Sequence, residues 1–221
     1  MEPRKLRLIE IGVGFLYLLS TATAILHFAI IGNPLGADNL LQSFYESRTN
    51  IAWGIFSNFV NCFSIVGISI LLYSYLKTIS LTVALSVVVS RVLEAILLMS
   101  GGLALFTMTG ISEHFINSKS INNEGYTAML KAFQSWNEDA FDVGMMSLGI
   151  GGFLLALLLY KKQLVPRWIS VLGVVGYPVL LVKSVLSLLE HPISEAFFLP
   201  VGLFELFFPI WLLIKGFRSS R

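Results

Sequence analysis

The stretch LTVALSVVVSRVLEAILLMSGGLALFTM, residues Leu81–Met108, decides the fold of this chain. It is almost entirely apolar and longer than the roughly 20 residues that a helix needs to cross a bilayer. Near its middle lie Arg91 and Glu94, three residues apart and therefore on one face of a helix. One charge at the bilayer centre costs about 3 kcal/mol even by the lenient insertion scale, so such groups face a bundle interior or a wet cavity. We expect the remaining helices to enclose this pair.

The amino-acid composition is typical of an integral membrane protein. Of the 221 residues, 56% are hydrophobic and 13% are charged, against about 25% charged residues in a soluble domain. The net charge of +2 and the lack of a basic patch interleaved with aromatic residues argue against a nucleic-acid partner. The single cysteine, Cys62, excludes an intrachain disulfide and is expected to be a packing residue.

Six apolar stretches are long enough to span a membrane. They predict an all-α fold: one polytopic membrane domain, residues 1–221, that forms a bundle of six transmembrane helices. We expect the first stretch to be retained, because its apolar run is longer than the apolar core of a signal peptide. The six stretches are Leu8–Ile31, Ile51–Leu76, Leu81–Met108, Phe141–Tyr160, Ile169–Leu189 and Phe197–Ile214.

The distribution of lysine and arginine predicts the orientation in the membrane. Cytoplasmic loops carry an excess of these residues, and here one side has ten and the other three. We therefore expect a multi-pass protein of the cell membrane with both termini in the cytoplasm. The cytoplasmic set is Arg4, Lys5, Arg7, Lys77, Lys161, Lys162, Arg167, Lys215, Arg218 and Arg221. The outer set is Arg48, Lys119 and Lys131.

The outer connections are longer than the cytoplasmic ones. The first contains a short amphipathic segment, Asn39–Arg48, and the second a polar stretch, Gly110–Asn123. The apolar spacing of Glu124–Trp136 predicts a helix that either lies on the surface or leads into the fourth span. The pairs Gly101-Gly102 and Gly151-Gly152 indicate close contacts between helices.

Polar residues of the spans are concentrated in their middle and outer parts. This asymmetry predicts a polar cavity that opens outward and is plugged by apolar packing toward the cytoplasm. A small polar or amphipathic ligand would bind there. The candidate ligand-binding residues are Arg91, Glu94, Asn58, Asn61, Glu205, Asp142, Lys183 and Trp136.

In this first hypothesis, for a binding or transport protein, Arg91 contacts an anionic group, the asparagines form hydrogen bonds, and Glu94 or Glu205 carries a proton. A second hypothesis is a membrane enzyme that acts on lipid or isoprenoid at the outer leaflet, with Asp142, Glu138 or Glu94 as acid or base. Its catalytic residues are otherwise unspecified.

A third hypothesis is a structural or interaction subunit whose buried charges only fix helix packing. It predicts ion pairs of Arg91 with Glu94 or Glu205, and of Lys183 with Asp142 or Glu190. It also predicts that no sizeable cavity is present. The oligomeric state stays open.

No metal or other cofactor is expected. The three histidines fall on the outer side, but no two share a helix at ligand spacing. There is no haem, nucleotide or hydrolase motif. The histidines are His27, His114 and His191.

Four segments resemble a bacterial and archaeal family of membrane proteins known as domain of unknown function 4386. They are RVLE at Arg91–Glu94, LVPRWISVLG at Leu164–Gly173, LPVGLFE at Leu199–Glu205 and WLLIKGF at Trp211–Phe217. The resemblance covers nearly the whole chain and implies a single polytopic helical domain. It implies no reaction, ligand or catalytic residue. The segment WNEDAFD, Trp136–Asp142, is more acidic than the resemblance leads us to expect.

Overall fold

A computed structural model describes residues 2–118, 123–191 and 193–218, and within these ranges the regular structure is helical. Six of the helices are long and apolar enough to cross a membrane, in agreement with the predicted fold class. A short 3₁₀ helix, η1, occupies Glu195–Phe198. The α-helices are α1 (Pro3–Leu35), α2 (Leu40–Glu46), α3 (Arg48–Leu76), α4 (Leu81–Ser118), α5 (Asn123–Lys162), α6 (Arg167–Leu188) and α7 (Leu199–Ile214).

The predicted polar connection Gly110–Asn123 is wrong over most of its length, because α4 continues to Ser118. Ile111 and Phe115 pack against a buried apolar cluster that also contains residues of α2 and α5. This packing outweighs the polar composition of the segment. Residues 119–122, which include the predicted outer lysine Lys119, lie outside the described residues.

The two other segments predicted in the outer connections are both helical. The amphipathic segment Asn39–Arg48 contains α2, and the Asn39 side chain accepts the amide of Gln42 at 3.2 Å as an N-cap. The segment Glu124–Trp136 is the first part of α5 and leads directly into the fourth span. Leu130 is fully buried in the same cluster as α2, so this segment does not lie free on the surface.

The six spanning helices form a ring. Each of α1, α3, α4, α5, α6 and α7 packs against the next in that order, and α7 packs back against α1. The short helix α2 packs against α4 and α5. A ring of this kind leaves its axis to be filled by side chains or by a cavity.

Four chain segments meet at one end of the ring, which we call the terminal end. They are the start of α1, the turns 77–80 and 163–166, and residues 215–218. Each described basic residue of the predicted cytoplasmic set lies in one of these segments or within two residues of it. Arg221 lies outside the described residues. The side of the membrane that this end faces stays a prediction.

The axis is solidly packed in the half of the ring nearest the terminal end. A single apolar core there joins side chains from all six spanning helices. The outer surface of the ring is apolar as well, with Phe63 69% exposed and Leu103 58% exposed, as a surface that faces lipid requires. Members of the core are Val13, Leu72, Val87, Leu155, Ile169 and Phe208.

The C-terminal segment is tied into this end by backbone and side-chain bonds. Glu10 accepts the amide of Phe217 at 2.7 Å, and the Phe217 ring stacks on Tyr75 with centroids 4.4 Å apart. The amide of Arg218 donates to the Leu164 carbonyl at 2.7 Å. Arg7 donates to the carbonyls at the end of α7. The first and last helices are therefore joined where the chain begins and ends.

The glycine pairs allow close helix contacts, as predicted. Gly152 on α5 lies against the ring of Tyr177 on α6, and Gly101 on α4 lies against Asn137 on α5. In each case an added Cβ atom would come closer than 3 Å to the neighbouring side chain. The helix pairs α5–α6 and α4–α5 therefore depend on the missing side chain.

We expect Gly152→Ala to destabilise the protein by about 1–3 kcal/mol, because the new methyl group overpacks the contact with the fully buried Tyr177 ring. The matched control is Gly110→Ala, at a helical position with nothing within 4 Å of the added atom. It should stabilise the helix by up to about 1 kcal/mol. Thermal unfolding in detergent measures both. Equal melting temperatures for the two variants would contradict the close contact.

Candidate functional site

A cavity of about 780 Å³ occupies the half of the ring away from the terminal end. Side chains of all six spanning helices and of η1 line it. Its volume falls in the range of about 300–1,000 Å³ that is usual for small-molecule sites. Seven of the eight predicted site residues line it: Asn58, Asn61, Arg91, Glu94, Asp142, Lys183 and Glu205.

Arg91 lies at the floor of the cavity between two carboxylates. Its Nη1 atom donates to Glu94 (3.1 Å to Oε2), and its Nη2 atom donates to Glu205 Oε1 at 2.9 Å. Nη2 also donates to the Tyr17 hydroxyl at 2.9 Å, and the Tyr177 hydroxyl donates to Glu205 Oε1 at 3.3 Å. We call these five residues the Arg91 cluster. Glu94 and Glu205 were predicted as alternative partners of Arg91, and Arg91 forms an ion pair with each of them.

The Arg91 cluster forms because its members lie at similar depths on different helices. Arg91 lies ten residues after the start of α4, Tyr177 ten residues after the start of α6, and Glu205 nine residues before the end of α7. All three of these helix ends are at the terminal end. At about 1.5 Å per residue, the three side chains start roughly 14–15 Å from that end.

The two asparagines each join neighbouring helices beside the cavity. Asn58 donates to the Leu98 carbonyl of α4 at 2.9 Å, next to Gly102, where a side chain would crowd it. Asn61 accepts from the hydroxyl of Ser20 on α1 at 2.6 Å. One amide atom of each asparagine is thus used to fix α3 between α1 and α4.

Asp142 has no hydrogen-bond or ion-pair partner among the residues that the structure describes, although it is only 8% exposed. It lies on α5 and faces the cavity. Lys183, Asp142 and Glu190 all belong to the described residues, and Lys183 forms no ion pair with Asp142 or with Glu190, contrary to the prediction. The Lys183 ammonium instead lies 4.3 Å from the centroid of the Phe198 ring.

Trp136 does not line the cavity, so the structure does not bring it together with the other seven predicted residues. The side chain is 56% exposed, and its indole N–H donates to Ser100 at 2.8 Å. The cavity-facing residues of α5 follow a helical spacing that Trp136 does not share: Asn137, Glu138, Phe141, Asp142, Met145 and Leu148.

Tyr17 and Tyr177 belong to the site, but sequence reasoning counted them among the apolar residues. Both are almost completely buried, and a buried tyrosine hydroxyl usually has a hydrogen-bond partner. Counting residues from the helix ends, as above for Arg91, could have located Tyr177. His27 also lines the cavity, and its Nδ1 donates to the Gly54 carbonyl at 2.9 Å, which joins α1 to α3.

Acidic side chains outnumber basic ones along the described wall of the cavity. Four carboxylates stand against two cations, and both terminal nitrogens of one cation, Arg91, already contact carboxylates. The cavity therefore attracts positive charge when its carboxylates are ionised. The four acidic residues are Glu94, Glu138, Asp142 and Glu205.

The chain belongs to the family described as Domain of unknown function (DUF4386), whose model matches residues 13–216. The match includes the cavity and the Arg91 cluster, and it confirms the resemblance seen in the sequence. No protein of curated function and no solved structure matches the chain.

We expect Arg91→Met to destabilise the protein by about 3–5 kcal/mol, because it leaves Glu94 and Glu205 buried without their cation. The triple variant Arg91→Met, Glu94→Gln, Glu205→Gln removes the unpaired charges and should recover much of that loss. Arg48→Met, at an exposed arginine, serves as the control and should stay within about 0.5 kcal/mol of the parent. Unfolding free energies in mixed micelles provide the comparison. An Arg91→Met variant as stable as Arg48→Met would show that the cluster carries no charge to compensate.

Proposed function

We propose that this membrane protein binds, and in the course of a conformational cycle transports, a small polar or amphipathic ligand in the cavity. The observation that carries the proposal is Asp142, a buried carboxylate that faces the cavity without a hydrogen-bond or ion-pair partner in the described chain. Burying a charged group without a partner is costly, so such a group persists where a ligand or solvent supplies one.

The ligand carries a positive charge. Acidic groups outnumber basic groups along the described wall of the cavity. Both terminal nitrogens of Arg91 already donate hydrogen bonds to Glu94 and Glu205. An anionic group would have to displace one of these carboxylates, which disfavours the role that Arg91 suggested when taken alone. An ammonium group, in contrast, finds Asp142 directly and Glu205 with a quarter of its side-chain surface exposed.

The alternative of a purely structural subunit is less well supported. It predicts paired charges and no sizeable cavity, whereas the ring encloses about 780 Å³ and Asp142 is buried without a described partner. For the enzyme alternative, the grouping of Glu205 with Tyr177 and Arg91 does bring ionisable groups together. However, their hydrogen bonds to one another favour a structural role for these groups over a catalytic one.

Binding is tested with hexyltrimethylammonium, a water-soluble cation with a short apolar chain, added to the protein in lipid nanodiscs. We expect calorimetry to detect binding, and Asp142→Asn to raise the Kd at least tenfold, about 1.4 kcal/mol. Asp142 has no described hydrogen bond to lose, so the variant should fold normally.

Asp139→Asn is the matched control, because Asp139 is an exposed aspartate three residues earlier on α5 and outside the cavity. Its Kd should equal that of the parent. Hexanoate tests the charge preference with a similar chain. Hexanoate binding as tightly as the cation, or no detectable binding of the cation, would contradict the proposal.

We also propose that the terminal end faces the cytoplasm and that the cavity therefore faces the outer side. The excess of basic residues in the segments of the terminal end supports this orientation. In a Cys62→Ser background, Asp38→Cys should react with a membrane-impermeant maleimide on intact cells. Lys162→Cys, at the terminal end, should react only after permeabilisation. The reverse labelling pattern would overturn the orientation.

A further inference from the structure

We infer that the ligand is a membrane amphiphile, with one cationic head group on an apolar chain, which enters the cavity sideways from the bilayer between α1 and α7. This inference rests on the proposed function and adds the ligand class and its route. It is built from the contacts that α1 and α7 make and from the lining residues that remain exposed.

The helices α1 and α7 pack together in the half of the ring near the terminal end. Arg7 donates to the Leu212 carbonyl, Gly14 lies against Leu213, and the rings of Tyr17 and Phe208 meet edge to face at 5.7 Å. The Tyr17–Phe208 contact bounds the opening on the side of the terminal end. It lies at the level of the Arg91 cluster, of which Tyr17 is a member.

Beyond Tyr17 the facing surfaces of the two helices are open to the cavity. Ile25 on α1 lines the cavity and is nevertheless 65% exposed. Gly202 on α7 lines it too, is exposed, and has nothing within 4 Å of the position that a Cβ atom would take. A residue that both lines a cavity and is exposed at the apolar perimeter marks a place where the cavity reaches the lipid.

Three aromatic side chains in contact bound the opening on the side away from the terminal end. Phe28 of α1 contacts Phe141 of α5 with centroids 5.4 Å apart, and Phe141 contacts Phe198 of η1 at 6.2 Å. The opening therefore extends from Tyr17 to Phe28, eleven residues along α1 or about 16 Å at the helical rise. It is tall enough for a chain of several methylene groups to lie across it.

The chemistry of the opening changes from apolar to acidic in the direction of the cavity. Its rim carries Ile25, Phe28 and Gly202, whereas Glu205 lies one helical turn from Gly202 and Asp142 lies further inside. An alkyl chain therefore loses no lipid-like environment at the rim, while its ammonium group reaches carboxylates. A fully water-soluble cation would gain nothing from an apolar rim of this kind.

The test uses a hexadecyltrimethylammonium that carries a diazirine in its chain, placed in liposomes with the full-length protein and photolysed. The chain reacts with many lipid-facing residues, so competition identifies the specific sites. We expect labelling of Ile25, Phe28 and Gly202 to fall at least fivefold with excess hexyltrimethylammonium. Labelling of Phe63 and Ile70, which are exposed on α3 outside the cavity, should not change.

Two matched substitutions on α1 test the route itself. Ala24 lines the cavity beside the opening, whereas Ala22, two residues earlier, is exposed and does not line it. Ala24→Phe should reduce the competable labelling by the long-chain cation at least tenfold more than it weakens the binding of hexyltrimethylammonium, because only the long chain must pass the opening. Ala22→Phe should change neither. Gly202→Phe narrows the opening from the α7 side and should reproduce the effect of Ala24→Phe if one of the two variants folds poorly.

The outcomes separate this inference from the proposed function. Failure of the short cation to bind at all contradicts the proposed function. The lateral route alone is overturned if the short cation binds normally but the labelling that it competes for is absent from the rim. The same holds if that labelling is found at Glu138 and Leu35. Competable labelling that survives both Ala24→Phe and Gly202→Phe also overturns it.

Discussion

The ion pairs of Arg91 are the constraint on which the rest of the structure depends. Arg91 lies on α4, which packs beside α3 and α5, yet its partners Tyr17 and Glu205 lie on α1 and α7. Its side chain therefore reaches across the axis of the ring. A buried ion pair adds little net stability compared with apolar packing, but its geometry is demanding. The cluster thus fixes which helices face one another more than it adds to the free energy of unfolding.

The Arg91 cluster also divides the molecule into two halves with different tasks. On one side of it, apolar side chains from every spanning helix fill the axis, and the chain ends are bonded together. On the other side, the axis is left as a cavity that contains an unpartnered Asp142 within the described chain. The packed half supplies the stability that allows the other half to keep a cavity lined by polar groups.

The fold was largely predictable from the sequence, since a bilayer permits few alternatives to apolar helices. The same constraint predicted that Arg91, Glu94 and Glu205 would face inward together. The extension of α4 past Gly110 was not predictable from composition, because the packing of Ile111 and Phe115 on residues distant in sequence decides it.

The differences between the predicted site residues and those that the structure brings together have similar physical origins. Trp136 was predicted as one of the polar residues of the spans, but its position around α5 turns it away from the axis. Tyr17 and Tyr177 were overlooked because a tyrosine in an apolar helix has the same periodicity as a phenylalanine. Their hydroxyl groups form hydrogen bonds with Arg91 and Glu205, which lie on other helices, so these contacts are visible only in the folded structure.

The spacing of Arg91 and Glu94 has a consequence for biosynthesis. Helices enter the membrane in chain order, so α4 is inserted when α7, which carries Glu205, has not yet been translated. During that interval the only carboxylate of the cluster that can neutralise the guanidinium is on its own helix, three residues away. The local pair lets α4 leave the translocon as a nearly neutral segment. Helix α7, which is made later than α4, then brings the second carboxylate and packs against α1.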